Sequence, residues 1–324
     1  MHILLVNHAP IPVTGYGGTE RVIWDLGRHL VAMGQRVSYL VPQGSHCDFA
    51  RVLAIQPGVG WAAQIPADVD IVHFQFNPQC DIDRPWLMTE HGNGQQPESL
   101  PLNTVFVSQD HARRHGARAW VANGLDWRAY GPVDLQAPRT RFHFLGKAAW
   151  RVKNVQGAID VALKAGVVLD VLGGQRLNLK RGFRFTLSRQ IHFHGMVGGQ
   201  HKLDLLQASR GLIFPVRWHE PFGLAVIESL YFGCPVFSTP YGALPELVPE
   251  SCGVLSAQAE VLAGAVRERR FDPRACHQRA VGLFGAQRMA RDYLGMYQRV
   301  LDGEHLNPCA PVLQGAARDL PWVR

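Results

Sequence analysis

Two kinds of hydrophobic pattern alternate along the chain. Short apolar runs that end in turn residues lie at 3 to 6, 37 to 41, 70 to 74, 86 to 89, 104 to 107 and 120 to 122. The same scheme resumes at 142 to 145, 167 to 172, 191 to 194, 211 to 214 and 234 to 238. Between these runs the apolar positions take helical spacing. In TERVIWDLGRHLVAM, residues 19 to 33, Val22, Ile23, Leu26, Leu30 and Met33 share one face. Near the end, residues 286 to 301 set Met289, Tyr293, Met296, Tyr297 and Val300 on one side of a second amphipathic helix. Strand and helix in alternation predict α/β architecture with parallel sheets covered on both faces.

Residues 128 to 141, with Gly131, Pro132 and Pro138 and no apolar period, form the best linker between two halves. A length of 324 residues also favours two domains. The prolines at 308, 311 and 321 predict an irregular tail.

Hydrophobic residues make up 47% and charged residues 18%, which excludes a largely disordered chain. No stretch approaches the roughly 18 apolar residues of a membrane span, and the first run lacks the flanks of a signal peptide. Six scattered cysteines without a CxxC pair fit reduced thiols. These features predict a cytoplasmic protein. The net charge of +7 favours an anionic partner: a phosphorylated small substrate, an anionic membrane surface or nucleic acid. Arg113, Arg114 and Arg118 form one basic cluster, and Lys180, Arg181, Arg184 and Arg189 another. The first is a candidate for contact with the inner face of a membrane. No nucleic-acid-binding motif is present.

Three strand-to-helix loops carry candidate chemistry. Residues 7 to 18, NHAPIPVTGYGG, follow the first strand, and Gly15, Gly17 and Gly18 let a phosphate approach the backbone at a helix start. A turn-forming role suits the same glycines, and the spacing is neither GxGxxG nor a P-loop. In GKAAWRVKN, residues 146 to 154, Lys147 and Lys153 bring enough charge to neutralise a diphosphate, though loop lysines are commonly just solvated. The third loop opens HEPFGLAVIES, where Glu220 precedes a helix beginning at 222 to 224 and Glu228 falls on its second turn. Buried carboxylates need positive charge or hydrogen-bond donors. The amides of Phe222, Gly223 and Leu224 lie between them, and eight helical residues span about 12 Å, the scale of a sugar, diphosphate and ribose in line.

Together GGTERVIWDLGRHLVAMGQRV, the two lysines and WHEPFGLAVIESLYFGCPVFSTPYGALPELV resemble the retaining nucleotide-sugar glycosyltransferases of the family-four group. MTEHG at 88 to 92, VFVS at 105 to 108, VANGLD at 121 to 126 and LDVLGG at 169 to 174 fall in the expected order, so the likeness covers residues 1 to about 301. The resemblance implies a GT-B fold, with two Rossmann-like domains facing a cleft and the last helix crossing back to the first. Its domains would be 1–135 together with 286–324, which would bind the acceptor, and 139–285, which would bind the donor. It implies that Gly17 and Gly18 approach the donor diphosphate, Lys147 and Lys153 neutralise it, Glu228 holds the ribose and Glu220 lies against the sugar. His91 matches the family histidine near the reacting carbon.

The implied reaction moves a hexose from a UDP- or GDP-sugar to a glycan, lipid-linked or small-molecule hydroxyl, as in polysaccharide biosynthesis. No metal or other cofactor is expected, because basic side chains replace the divalent ion. DID at 81 to 83 and HFH at 192 to 194 look superficially like metal motifs. Two departures matter. Lysine stands at 147 where the family more often has arginine, which keeps the charge and loses the planar fork. The chain is also short for the fold, most plausibly in the first domain's loops. A catalytically silent donor-binding subunit and a nicotinamide oxidoreductase are the competing readings.

Overall fold

A computed structural model of the chain describes residues 1–13, 17–94, 98–178, 184–315 and 318–324. Gly15, Lys180 and Arg181, named above, lie outside the described residues. The chain divides into two compact units, Met1–Trp127 with Phe284–Gly315, and Arg128–Leu283 with Ala316–Arg324. The first break falls at Trp127, before the linker anticipated at 128 to 141. That stretch is not a free connection: Trp127–Tyr130 form a 3-10 turn and Tyr130 is buried. The segment 286–324, expected to return as one piece, also divides, its last residues belonging to the second unit.

The first unit's strands are β1 (His2–Val6), β2 (Arg36–Val41), β3 (Arg51–Ala54), β4 (Ile71–Phe74), β5 (Trp86–Glu90) and β6 (Thr104–Phe106). They form one sheet in the order β3-β2-β1-β4-β5-β6, every pairing parallel. On one face Leu4, Val6, Leu40, Val72, Phe74 and Met88 make a continuous core. The helices Gly18–Ala32 and Ala286–Leu301 pack against each other, and the second also reaches β5. That second helix is fastened by polar bonds: His73 on β4 meets Tyr297 Oη at 2.8 Å and Thr89 Oγ1 at 2.7 Å, and Thr89 meets Tyr293 Oη at 2.7 Å. Burial holds the His73 imidazole neutral, so all of these groups are satisfied without a charge.

In the second unit come β7 (Arg141–Leu145), β8 (Leu169–Leu172), a short hairpin of β9 (Leu177–Asn178) and β10 (Arg184–Phe185), β11 (Ile191–Phe193), β12 (Ser209–Phe214), β13 (Val236–Ser238) and β14 (Gly253–Leu255). Its sheet runs β11-β8-β7-β12-β13-β14, again wholly parallel. Once the hairpin is set aside, both units have the same doubly wound order. In each, the strand order reverses beside the unit's first strand, between β1 and β4 and between β7 and β12. Such a reversal opens a crevice at the carboxyl ends of the strands where ligands bind.

Three expectations are corrected. Residues 120 to 122 do not form a strand: Trp120 makes a single bridge to Phe106 at the end of a three-residue edge strand. β3 and β14 were not anticipated. β3 is an edge strand with no fully buried residue, and β14 has only three residues, so neither presents an apolar run.

Candidate functional site

In the second unit the site grows from the loops after β7 and β12, which flank the switch point. After β7, Arg151–Lys153 form a 3-10 turn and Asn154 takes a left-handed conformation to cap the helix Val155–Ala165 through Gly157 N–H. The same Asn154 donates its side-chain amide to Pro215 O at 2.8 Å, and Arg217 N–H donates to Val152 O at 2.7 Å. These bonds lace the two loops together. Lys153 is thereby brought onto Glu220, its Nζ lying 2.9 and 2.7 Å from the two carboxylate oxygens.

Trp218 Nε1–H donates to Glu220 Oε2 at 2.7 Å, and Lys153 Nζ also stands 4.7 Å from the Trp218 ring and 5.2 Å from that of Phe214. Glu220 is buried rather than reaching solvent, and the charge that permits it is Lys153. Its backbone is equally fixed: Glu220 pairs with Gly242, and Ala243 N–H donates to Glu220 O at 2.9 Å. Gly242 has φ +67°, and a Cβ there would collide with the Glu220 backbone, so glycine is required for both reasons.

The helix Leu224–Tyr231 begins where expected, with Gly223 at φ 114° as its N-cap and no side-chain cap. No side chain thus covers the helix start, where Val226 N–H donates to Gly223 O at 2.9 Å. Glu228, on the second turn, is buried and accepts from Lys202 Nζ and Tyr130 Oη, each at 2.6 Å, at the single oxygen Oε1. Lys202 and Tyr130 escaped the sequence reading. Lys202 sits on the helix Gly199–Gln207 in an unremarkable polar sequence, and Tyr130 lay inside the supposed linker. Lys147, also after β7, stands 5.2 Å from the Trp150 ring.

The first unit carries Gly17, Gly18 and His91. Gly17 is the N-cap of the helix after β1, and Gly18 is the first residue of that helix. A Cβ on Gly17 would meet Val13 and the Glu20 carboxylate at 2.6 Å, so those side chains would have to shift to admit another residue. His91 follows β5 on the same sheet edge. Its Nε2 lies 2.8 Å from Gln75 Oε1, just after β4. With that oxygen as acceptor Nε2 carries the proton, and Nδ1 keeps its lone pair. Burial pushes the His91 pKa down to about 4, so the ring is neutral at pH 7.

Beside it, Glu90 moves the other way. Burial pushes it up to about 7, against a bond from Gly92 N–H at 3.0 Å and with help from Glu98. The sign follows from linkage: stability from Glu90 is fully present below pH 4.5 and is lost as pH rises through 7, whereas that from His91 is present above pH 6.5 and is lost as pH falls through 4. Glu90→Gln, which keeps the acceptor for Gly92, is expected to raise stability at pH 8 by about 2 kcal/mol and leave it unchanged at pH 4. Urea midpoints at the two pH values check this.

Among the described residues no group of three His, Cys, Asp or Glu is placed to hold a metal. His194 of the HFH motif instead bonds Asp170 at 2.7 Å, and Ile82 of DID packs on the first unit's core. No helix among the described residues is long and apolar enough to cross a membrane.

Two parallel sheets with switch-point loops of this kind define the class as the GT-B fold. The solved structure of AviGT4, a glycosyltransferase involved in avilamycin A biosynthesis, superposes with a TM-score of 0.75 over 93% of this chain and 98% of its own, at 21% identity. Residues 139–269 match the family model described as glycosyl transferases group 1. The likeness to that family is carried by these residues, and the likeness to the solved structure shows that the chain has the GT-B fold.

Among curated relatives, the GDP-mannose-dependent alpha-(1-6)-phosphatidylinositol dimannoside mannosyltransferase of Mycobacterium tuberculosis is 31% identical over 140 residues, 42% of this chain and 36% of its own length. The glycogen synthase of the same organism is 28% identical over 221 residues, 61% of this chain and 53% of its own. The chain thus spans about a third to a half of the curated relatives it matches.

Proposed function

We propose that the protein transfers a hexose from a nucleoside-diphosphate sugar to an acceptor hydroxyl with retention at the anomeric carbon, without a metal. The observation that carries this reading is the pair of buried lysine–carboxylate contacts, Lys153 with Glu220 and Lys202 with Glu228, set before and inside one uncapped helix. In this reading the diphosphate lies over the amides of Phe222, Gly223 and Leu224 and draws Lys153 and Lys147 toward it. Glu228 accepts from the ribose hydroxyls, and Glu220 faces the sugar. As the bond to the diphosphate breaks, charge grows on the leaving oxygens, where fixed cations and helix amides stabilise it. For Gly17, Gly18 and His91, which the first unit carries, the reading keeps the roles that the resemblance implies, with His91 acting as a neutral imidazole. The donor is UDP- or GDP-linked, and the acceptor is a glycan, a lipid-linked sugar or a small molecule.

A panel of UDP-, GDP- and ADP-sugars tested by thermal shift, with and without chelator, is expected to give one donor that raises the melting temperature equally in both conditions. Stabilisation by none of them, or only with divalent ion, would overturn the proposal. Binding without transfer to a broad set of acceptors would instead favour a silent donor-binding subunit. The nicotinamide reading keeps only the strand order in its favour.

A further inference from the structure

The proline-broken tail, expected to be irregular, is bonded from Arg318 onward to the second unit, and two of its attachments adjoin Glu220. Arg318 bridges Trp218 in antiparallel fashion, Leu320 N–H donates to Arg217 O at 3.0 Å, and Arg217 Nε–H donates in return to Leu320 O at 3.0 Å. Next, Pro321 O accepts from Tyr241 Oη–H at 2.7 Å, one residue before the Gly242 that pairs with Glu220. Val323 then donates to Ala257 O and accepts from Ala259 N–H, each at 2.8 Å, where the helix Ala259–Glu268 begins, and Arg324 Nε stands 3.3 Å from Asp160 Oδ2. Arg318, Asp319, Pro321, Val323 and Arg324 are all exposed, so the segment contributes little apolar burial. Directed bonds hold it in place. Between the two contacts with the Arg217–Trp218 loop, Asp319 takes φ 57°, a left-handed turn that aspartate tolerates.

We infer that residues 318 to 324 are a positioning strap for Glu220, acting through Trp218 and through the Tyr241–Gly242 turn. Trp218 Nε1–H reaches Glu220 Oε2 at 2.7 Å, so a shift of the Arg217–Trp218 backbone moves the donor that orients the carboxylate. The same loop is tied inward, where Arg217 N–H donates to Val152 O at 2.7 Å, beside Lys153. On the other side, Ala243 N–H holds Glu220 O at 2.9 Å, and Tyr241 anchors that turn to the strap. The part played in sugar transfer rests on the function proposed above, whereas the grip on the loop does not. In that reading Glu228 and the helix start govern donor binding, so the strap bears on turnover.

Leu320→Pro tests this. It removes the N–H that donates to Arg217 O and drives Asp319 out of its left-handed conformation, whereas Leu320→Ala keeps both. Hydrogen exchange of the Arg217 and Ala243 amides, measured on the free protein, is expected to quicken about tenfold in Leu320→Pro at a nearly unchanged melting temperature. Its kcat should fall about tenfold with a donor KM within about twofold of the wild type, and Leu320→Ala should match the wild type in every measure. Added to Glu220→Gln, Leu320→Pro should cost almost no further rate, because it acts through that carboxylate. Unchanged exchange, an unchanged kcat, or the full loss on top of Glu220→Gln would each overturn the inference. So would a lowered melting temperature with donor binding lost in step, which would make the tail a support of the whole unit. Quickened exchange in Leu320→Pro, beside a wild type that transfers no sugar to any acceptor, would instead overturn the function proposed above and leave the grip on the Glu220 loop standing.

Discussion

Replacing Glu220 with glutamine is expected to slow sugar transfer by about a thousandfold with donor affinity near that of the wild type, while stability falls by about 1–3 kcal/mol because the buried Lys153 ammonium keeps only an amide oxygen as partner. Glutamine has almost the same shape and keeps an oxygen to accept from Trp218 Nε1–H, now 2.7 Å from the carboxylate. It removes only the negative charge, so the change isolates electrostatics from packing. Lys153→Ala provides the contrast. It leaves a buried carboxylate without the ammonium that stands within 2.9 Å of both oxygens, and breaking such a pair costs about 3–5 kcal/mol. It also removes a cation from the proposed diphosphate position, so donor affinity falls as well. Combining Glu220→Gln with Lys153→Ala should return most of the stability and none of the affinity or rate. Urea midpoints and steady-state kinetics on the four proteins check each part.

Lys202→Met carries the second large effect. The Lys202 and Glu228 side chains are only 10% and 3% exposed, so the change leaves a buried carboxylate without its ammonium, with the Tyr130 hydroxyl still donating to Oε1. A loss of about 3 kcal/mol in stability is expected, together with weaker donor binding, because an uncompensated carboxylate takes up a proton and no longer accepts from ribose hydroxyls as an anion. Adding Glu228→Gln should restore stability while donor binding stays weak. Recovery of binding in that double variant would mean that Glu228 serves only to satisfy Lys202. Calorimetric titration with the donor, beside thermal melts, distinguishes the two outcomes.

The features that were legible in the sequence are those with a local physical cause. Continuous apolar runs marked the buried parallel strands, and helical spacing marked both amphipathic helices; the one at Ala286–Leu301 has the predicted bounds. Pro221 and Gly223 announced the start of the helix that follows Glu220. What escaped depended on distant partners. An edge strand such as β3 owes its place to backbone pairing with β2, from Ser38↔Arg51 to Val41↔Ala54, rather than to an apolar pattern. Lys202 reaches Glu228 across 26 positions and Tyr130 across 98, and no local spacing encodes either approach. A buried tyrosine in a glycine- and proline-rich stretch looks like linker until its hydroxyl is seen on a carboxylate. The two acids, by contrast, were conspicuous because a charge inside an apolar run demands a counter-charge.

The central claim is that the second unit holds an activated sugar along the start of the Leu224–Tyr231 helix. A crystal structure of the protein with its nucleoside-diphosphate donor measures this most directly. The account predicts phosphate oxygens on the Gly223 and Leu224 amides and on Lys153, with ribose hydroxyls on the Glu228 carboxylate. A nucleotide bound elsewhere, with Lys153 and Lys202 still closed on their glutamates, would contradict it.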